Sequence, residues 1–273
     1  MLELNKFYIG ESVQWMKENL PDDFIDLTVT SPPYDNLRTY KGFEFDYKSM
    51  LKELYRVTKK GGVVVWIVND ATINGSETGT SFKQALYAKD IGFKMHDTMI
   101  YAKNGGLPQN ANRYEPQFEY MFILVKDKLK TFNPFKEKCK YAGQINTGTY
   151  RLPNGKTRLK HGYGKKYKET KVKGNIWMYN VGYMKTTKDK IAYKHPAIFP
   201  DKLAEDHILS WSIEGDIVFD PMCGAGTTCK MAWFNNRKFI GVDMGEEYIN
   251  EICIPRLKSY GWNEDKVEKI ISQ

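Results

Sequence analysis

Two hydrophobic periods alternate along this chain. Short apolar runs of strand character stand at 6–9, 25–30, 62–68, 95–102, 118–125, 216–220 and 238–243. Between them, apolar residues recur at helical spacing: Val13, Met16 and Leu20; Tyr47, Met50, Leu51 and Leu54; Phe82, Ala85 and Leu86; and a stretch from Asp201 through Trp211. Gly62-Val63-Val64-Val65-Trp66-Ile67-Val68 is apolar at every position, which predicts a strand buried on both faces, as in a parallel sheet. Strands alternating with helices predict a doubly wound α/β sheet. No helix separates 95–102 from 118–125, so that pair is expected to be antiparallel. End signals set the boundaries. Ser12 reads as the cap of the first helix and Pro21 as its stop. Lys59 and Lys60 read as the last turn of the second, with Gly61 just beyond. Gly92 closes the third, Asp201 caps the fourth, and a last helix starting near Glu246 is bent or stopped by Pro255.

This rhythm fails between 127 and 190. Seven glycines, from Gly143 to Gly182, are scattered there among lysines and tyrosines, and neither period persists. The chain is thus expected to fall into 1–126, a 127–190 insert and 191–273. Charge sharpens the division. Between Lys126 and Lys190 stand eighteen basic and four acidic residues, leaving 23 basic and 29 acidic for the rest of the chain. A mildly acidic body carrying one strongly basic segment predicts a phosphate-backbone partner, since the field is localised rather than spread. Lys165-Lys166-Tyr167-Lys168, with Tyr141, Tyr150 and Tyr163, interleaves aromatics with cations. Arg151 and Arg158 suit bidentate contact with guanine.

The remaining bulk numbers exclude more than they select. At 273 residues, 41% hydrophobic and 27% charged, the chain can bury a full core. No apolar run is long enough for a bilayer, and Met1–Lys6 lacks the blocks of a signal peptide, so the cytoplasm is the expected compartment. Four cysteines without CxxC spacing predict neither a zinc site nor a disulfide framework.

Two strand ends carry candidate chemistry. The run 25–30 stops at Ser31-Pro32-Pro33-Tyr34, because neither proline can donate to a ladder. An exocyclic amino nitrogen on a nucleobase is a poor nucleophile, its lone pair being delocalised into the ring. Two acceptors aimed at its N–H bonds draw it out of conjugation. The Ser31 hydroxyl and the Pro32 carbonyl, left free of any ladder by Pro33, offer that pair, and Tyr34 offers a stacking face. The second strand end is Asp220-Pro221-Met222-Cys223-Gly224-Ala225-Gly226-Thr227-Thr228. Its glycines permit a tight turn and close approach, and the helix beginning near Thr227 offers free N–H groups to an anion. Asp243 closes the next strand, where a carboxylate can accept from a ribose. A dinucleotide fingerprint would have a third glycine, which is missing, and no Gly-Lys-Ser/Thr ending marks a P-loop.

Together, Thr-Ser-Pro-Pro-Tyr and Asp-Pro-x-x-Gly-x-Gly-Thr-Thr resemble the catalytic and cofactor motifs of the DNA amino-methyltransferases. The order, catalytic motif first, is that of the permuted beta group. The resemblance covers most of 6–126 and 175–258. It implies a Rossmann-like seven-stranded methyltransferase sheet, mostly parallel with one antiparallel strand, and S-adenosylmethionine as cofactor. It places Asp220, Pro221, Gly224, Gly226 and Thr227 at the methionine end, Asp243 at the ribose, Glu11 toward the adenine and Phe199, in His195-Pro196-Ala197-Ile198-Phe199-Pro200, beside the cofactor. It implies direct methyl transfer to a base flipped from duplex DNA, with Tyr114 near that base and the basic insert recognising the target; the polar loop 35–40 after the tetrapeptide is expected to bring Arg38 or Tyr40 to the base. Members with Ser at the first catalytic position more often methylate cytosine N4, and those with Asp or Asn adenine N6. Cytosine N4 is therefore the favoured reading, with adenine N6 the alternative and a non-catalytic DNA-binding protein a third. A cognate restriction endonuclease acting separately is compatible with this reading, as are a monomer and a homodimer. No membrane partner is expected.

Overall fold

The computed structural model describes residues 2–33, 45–105 and 112–269. They form two compact units: one from residues 1–133 and 175–273, the other Pro134–Gly174. The larger unit is built on one sheet of eight strands: β1 (Lys6–Ile9), β2 (Ile25–Thr30), β3 (Thr58–Val68), β4 (Lys94–Lys103), β5 (Phe118–Val125), β6 (Ile176–Tyr179), β7 (Ile217–Asp220) and β8 (Lys238–Asp243). Their order is β6-β4-β5-β3-β2-β7-β8-β1, and only β5 runs against its neighbours. The mostly parallel sheet with one antiparallel strand is as expected from the sequence. It gains an eighth strand from Ile176–Tyr179, within the segment that shows no period. That strand has only four residues, all apolar. Trp177 and Tyr179 turn inward, and Ile176 and Met178 stay exposed, so alternation is not visible in residue type.

Helices α1 (Ser12–Asn19), α2 (Tyr47–Val57) and α3 (Thr80–Asp90) cover one face, and α4 (Asp201–Trp211) and α5 (Thr227–Phe234) the other. β3 explains the two layers. Val64, Trp66 and Val68 point to the first face, and the alternate residues Val63, Val65 and Ile67 to the second, all essentially inaccessible. Trp66 satisfies its indole N–H on Gln84 of α3 at 2.8 Å. Met50, Leu51, Leu54 and Val57 of α2 are fully buried, each worth roughly 1.5–3 kcal/mol relative to exposure.

Several predicted boundaries shift, each for a local reason. Glu11, not Ser12, caps α1, accepting from the amides of Val13 and Gln14 at 3.0 and 2.8 Å, while the Ser12 hydroxyl donates to the Pro221 carbonyl. α2 ends at Val57. Lys59, Lys60 and Gly61 belong to β3, in an irregularity between the pairs Ile25↔Thr58 and Leu27↔Val63. Gly61 is required there: its φ is +84°, and a Cβ would stand 2.8 Å from that of Lys130. α3 buries Ser81, Gln84, Ala85 and Ala88 and leaves Phe82 and Leu86 half exposed. Asp201 is the first residue of α4 rather than its cap. The last helix does not stop at Pro255. It runs as Glu246–Tyr248, a π segment Ile249–Cys253 and Ile254–Lys258, the wider turn accommodating a proline that lacks the N–H of a regular ladder.

The smaller unit pairs Lys136–Lys138 with Thr170–Val172 and Thr149–Arg151 with Thr157–Leu159, both antiparallel. Asn146 ties its centre, donating to the His161 carbonyl at 3.1 Å and accepting from the Gly148 amide and the Tyr167 hydroxyl at 3.0 Å each.

Candidate active site

β2 and β7 are neighbours at the middle of the sheet. From β2 the chain proceeds to β3 on one side; from β7 it proceeds to β8 on the other. This is the reversal at which a doubly wound sheet opens a crevice beyond its strand ends. Thr28 pairs with Phe219, so Thr30 and Asp220 end their strands side by side. The Thr30 hydroxyl donates to Asp220 Oδ1 at 2.8 Å, and Thr228 Oγ1 donates to the Val29 carbonyl at 3.0 Å. The rim Ser31-Pro32-Pro33 therefore leaves the sheet next to the glycine turn. Pro32 is buried, and Ser31 and Pro33 are half-buried. Tyr34 and Arg38 lie outside the described residues.

The turn itself is shaped by two glycines. Gly224 and Gly226 have φ of +49° and +71°. A Cβ on Gly224 would stand 2.9 Å from His195 Nε2, and one on Gly226 3.1 Å from Cys253 Sγ. Gly226 leads into α5 without a side-chain cap, so no capping side chain takes up the first amides of that helix. Asp220 is fully buried. Burial pushes its carboxyl up to about 7, against the hydrogen bonds from Thr30 and the Met222 amide. Pro221 is buried beside it.

Asp243 braces the turn from the next strand. Its two oxygens accept from the Gly224 and Gly245 amides at 2.8 Å each, and burial raises its pKa above the usual carboxylate value. Ile9 pairs with Asp243 and the Gly10 amide donates to its carbonyl, so Glu11 emerges at the adjacent strand end. The segment 195–199 closes the other side. His195 packs on Gly224, and Ile198 packs with Ala225 and Ile252, leaving Phe199 half-buried. Glu11, Phe199, Asp220, Pro221, Gly224, Gly226, Thr227 and Asp243 thus lie in one unit around one turn. Thr227 differs from expectation in one respect: its hydroxyl accepts from Arg256 Nη1 at 3.0 Å.

That bond belongs to a buried network that the sequence reading missed. Arg256 donates to the Ala225 carbonyl, to Asp189 and Asp201, and to Thr187. Lys230 donates to the same two aspartates at 2.8 and 2.6 Å. Burial pushes the Asp189 carboxyl up, but hydrogen bonds from Lys230, Tyr260 and Arg256 outweigh it and hold it well below the usual range. One signal was available: Lys230 is the only charged residue of α5, and a lone cation in an apolar helix needs a buried partner.

The candidates expected to meet DNA that lie among the described residues are exposed. Tyr114 is fully accessible in the larger unit. Arg151, Arg158, Lys165 and Lys166 are exposed in the smaller one. Tyr150 opposes Arg158 and Arg151 opposes Thr157, so the two arginines project from opposite faces of their hairpin. Lys160 lies over the Tyr150 ring and Lys140 over that of Tyr141, at 5.6 and 5.5 Å.

This eight-stranded sheet with a single reversed strand is a methyltransferase fold. It is similar to the PvuII DNA methyltransferase (cytosine-N4-specific), with a TM-score of 0.68 over 96% of this chain and 87% of that one at 19% identity. It is also similar to M1.HpyAVI in its SAM complex, with a TM-score of 0.58 over 92% of this chain and 98% of that one at 20% identity. The chain belongs to the DNA methylase family, whose profile matches residues 25–253. The orphan methyltransferase M.BamHII of Bacillus amyloliquefaciens is 55% identical over 248 residues, covering 90% of this chain and 93% of that protein. Among the described residues, no helix is long and apolar enough to cross a membrane.

Proposed function

We propose that this DNA methylase transfers the methyl group of S-adenosylmethionine directly to cytosine N4 in duplex DNA. The observation that carries the reading is the Thr30–Asp220 hydrogen bond, which sets the Ser-Pro-Pro rim beside the glycine turn. The turn fits the cofactor on two grounds. Gly224 and Gly226 leave backbone where side chains would stand, and the uncapped start of α5 suits the carboxylate of the methionine moiety. Asp220, Pro221, Gly224, Gly226 and Thr227 form that end of the site. Asp243 takes the ribose hydroxyls, Glu11 the adenine amino group, and Phe199 packs alongside.

S-adenosylmethionine supplies a methyl group on a sulfonium, which leaves as a neutral thioether when the amino nitrogen forms its bond to carbon. The chain's own part is positioning and electrostatics. The Ser31 hydroxyl and the Pro32 carbonyl accept the amino hydrogens, localising the nitrogen lone pair toward the methyl carbon. The proton released from nitrogen passes to solvent. Tyr34 stacks on the extruded base, with Arg38 and Tyr114 beside it. Arg151, Arg158, Lys165 and Lys166 engage duplex DNA from the smaller unit. Adenine N6 presents the same amino geometry, and Ser31 is the residue that favours cytosine.

The test is to incubate the protein with duplex DNA and S-adenosylmethionine, digest the DNA to nucleosides and identify the modified base. N4-methylcytosine supports the proposal. N6-methyladenine replaces it with the adenine alternative, and the absence of any methylated nucleoside contradicts both.

A further inference from the structure

Beyond β6 the chain folds back on itself and, with the start of α4, encloses a cavity of about 270 Å³ in the larger unit. Asn180, Lys185, Thr186, Lys188, Asp201 and Lys202 are among its lining residues. β6 is parallel to β4, so this cavity opens at the carboxyl edge of the sheet, the edge that also carries the Ser-Pro-Pro rim and the glycine turn. None of the roles given above to the candidate residues uses it.

Its charge balance is one-sided. Asp201 is the only acid in the lining, and its carboxylate is already engaged by Lys230, Arg256 and Thr187. Lys202 is ion-paired with Glu205 and Asp206 of its own helix. Lys188 donates to the Met184 carbonyl at 2.6 Å, a neutral acceptor, and forms no ion pair among the described residues. Lys185 is exposed and forms no ion pair among the described residues. The loop that carries these two lysines is held in an unusual shape. Met184 has a φ of +57°, a conformation uncommon for a residue with a side chain, and Thr186 and Tyr193 fasten Gly182 on either side of its peptide. Lys185 and Lys188, neither of them ion-paired among the described residues, and the Asn180 side chain line a space of anion size.

We propose that this cavity seats a phosphodiester group of the DNA backbone. The larger unit then grips duplex DNA in its own right, apart from the basic unit 134–174. The inference rests on the DNA methylase reading, which supplies the phosphate. The seat is lined by no residue given a role on the reacting base and serves to hold the duplex; its lining residue Asp201 is joined to the glycine turn through Arg256.

The experiment is equilibrium binding of a duplex to the full chain over a series of salt concentrations. Lys185→Gln is expected to make the slope of log K against log salt shallower by about 0.9, with the same proportional loss on unrelated duplex sequences. Lys185→Arg should keep the slope, and Lys52→Gln, which removes an exposed charge from α2, should leave it as in the wild type. An unchanged slope in Lys185→Gln overturns the proposal. So does an equal change in Lys52→Gln, which would reveal a diffuse field instead of a seat. A third overturning result is a loss of inorganic phosphate binding without any change in the DNA slope. If the wild-type chain bound no duplex DNA at all, the methylase reading itself would fall; normal DNA binding with an unmoved slope strikes this inference alone.

Discussion

The hydroxyl of Thr30 lies 2.8 Å from Asp220 Oδ1, joining the last residue of one central strand to the last residue of its neighbour. Both residues are buried, so the bond is made where water cannot replace it. It links the two motifs that lie 190 positions apart in the chain.

This pair gives stability a specific pH dependence. The Asp220 carboxyl is pushed up from 3.8 to about 7 by burial, so the folded state prefers its protonated form. Its destabilising effect is absent below about pH 4, grows as pH rises to about 7 and is constant above, on the order of 4 kcal/mol in full. His207 acts in the opposite sense. Burial lowers it from 6.5 to about 3, with Trp211 donating to its Nδ1, so stability is lost as pH falls through that window. The two oppose each other between about pH 4 and 6.5. Asp220→Asn removes one arm, and its unfolding free energy by urea titration should rise more steeply with pH across that window than the wild type's. Identical pH profiles for the two proteins would contradict the assignment.

Arg256 is predicted to be the most sensitive residue of the buried network. It is 1% exposed and holds both the Ala225 carbonyl and two aspartates. Arg256→Met leaves Lys230 as the one cation of the network for both Asp189 and Asp201, a loss of about 3–5 kcal/mol. Cofactor affinity should fall as well, because the glycine turn loses its brace. Urea unfolding and calorimetric titration of S-adenosylmethionine check the two effects. A variant within about 1 kcal/mol of wild type, with unaltered cofactor binding, would show the network to be incidental.

The two units should divide the binding work. Asp243→Ala removes the acceptor of the Gly224 and Gly245 amides and is expected to weaken cofactor binding while DNA affinity is largely kept. Reversing the charge of the exposed Lys165 and Lys166 should weaken DNA binding and flatten its salt dependence, with cofactor affinity kept. Equal losses in both assays for both variants would argue against this division.

The sequence made the central sheet legible because its strands are continuous apolar runs and its helices are amphipathic. Seven of the eight strands stand out as apolar runs set off from the helical stretches around them. The eighth, Ile176–Tyr179, was hidden because it stands inside the lysine- and glycine-rich segment, with no amphipathic helix beside it to mark it as part of the sheet. Lys59-Lys60-Gly61 reads as a helix end by local preference, yet the pairs that Thr58 and Val63 make with β2 on either side, and the bonds of Gly61 to Lys126 and Lys130, draw it into a strand, a tertiary override of propensity. Glu11 displaced Ser12 as a cap because the Ser12 hydroxyl is drawn to the Pro221 carbonyl, a contact 209 residues away that no local rule contains. The site shows the same divide. The glycine turn and Asp243 follow from strand-end logic, whereas Asp189, Asp201, Lys230 and Arg256 meet only through the fold.

The most direct measurement is single-turnover methyl transfer by Ser31→Ala, with cofactor and DNA affinities determined on the same preparation. Loss of one of the two acceptors on the amino group predicts a fall in the transfer rate of about a hundredfold or more, with both affinities within a few-fold of wild type. A Ser31→Ala protein that transfers methyl groups at the wild-type rate would contradict the claim that this rim holds the reacting nitrogen.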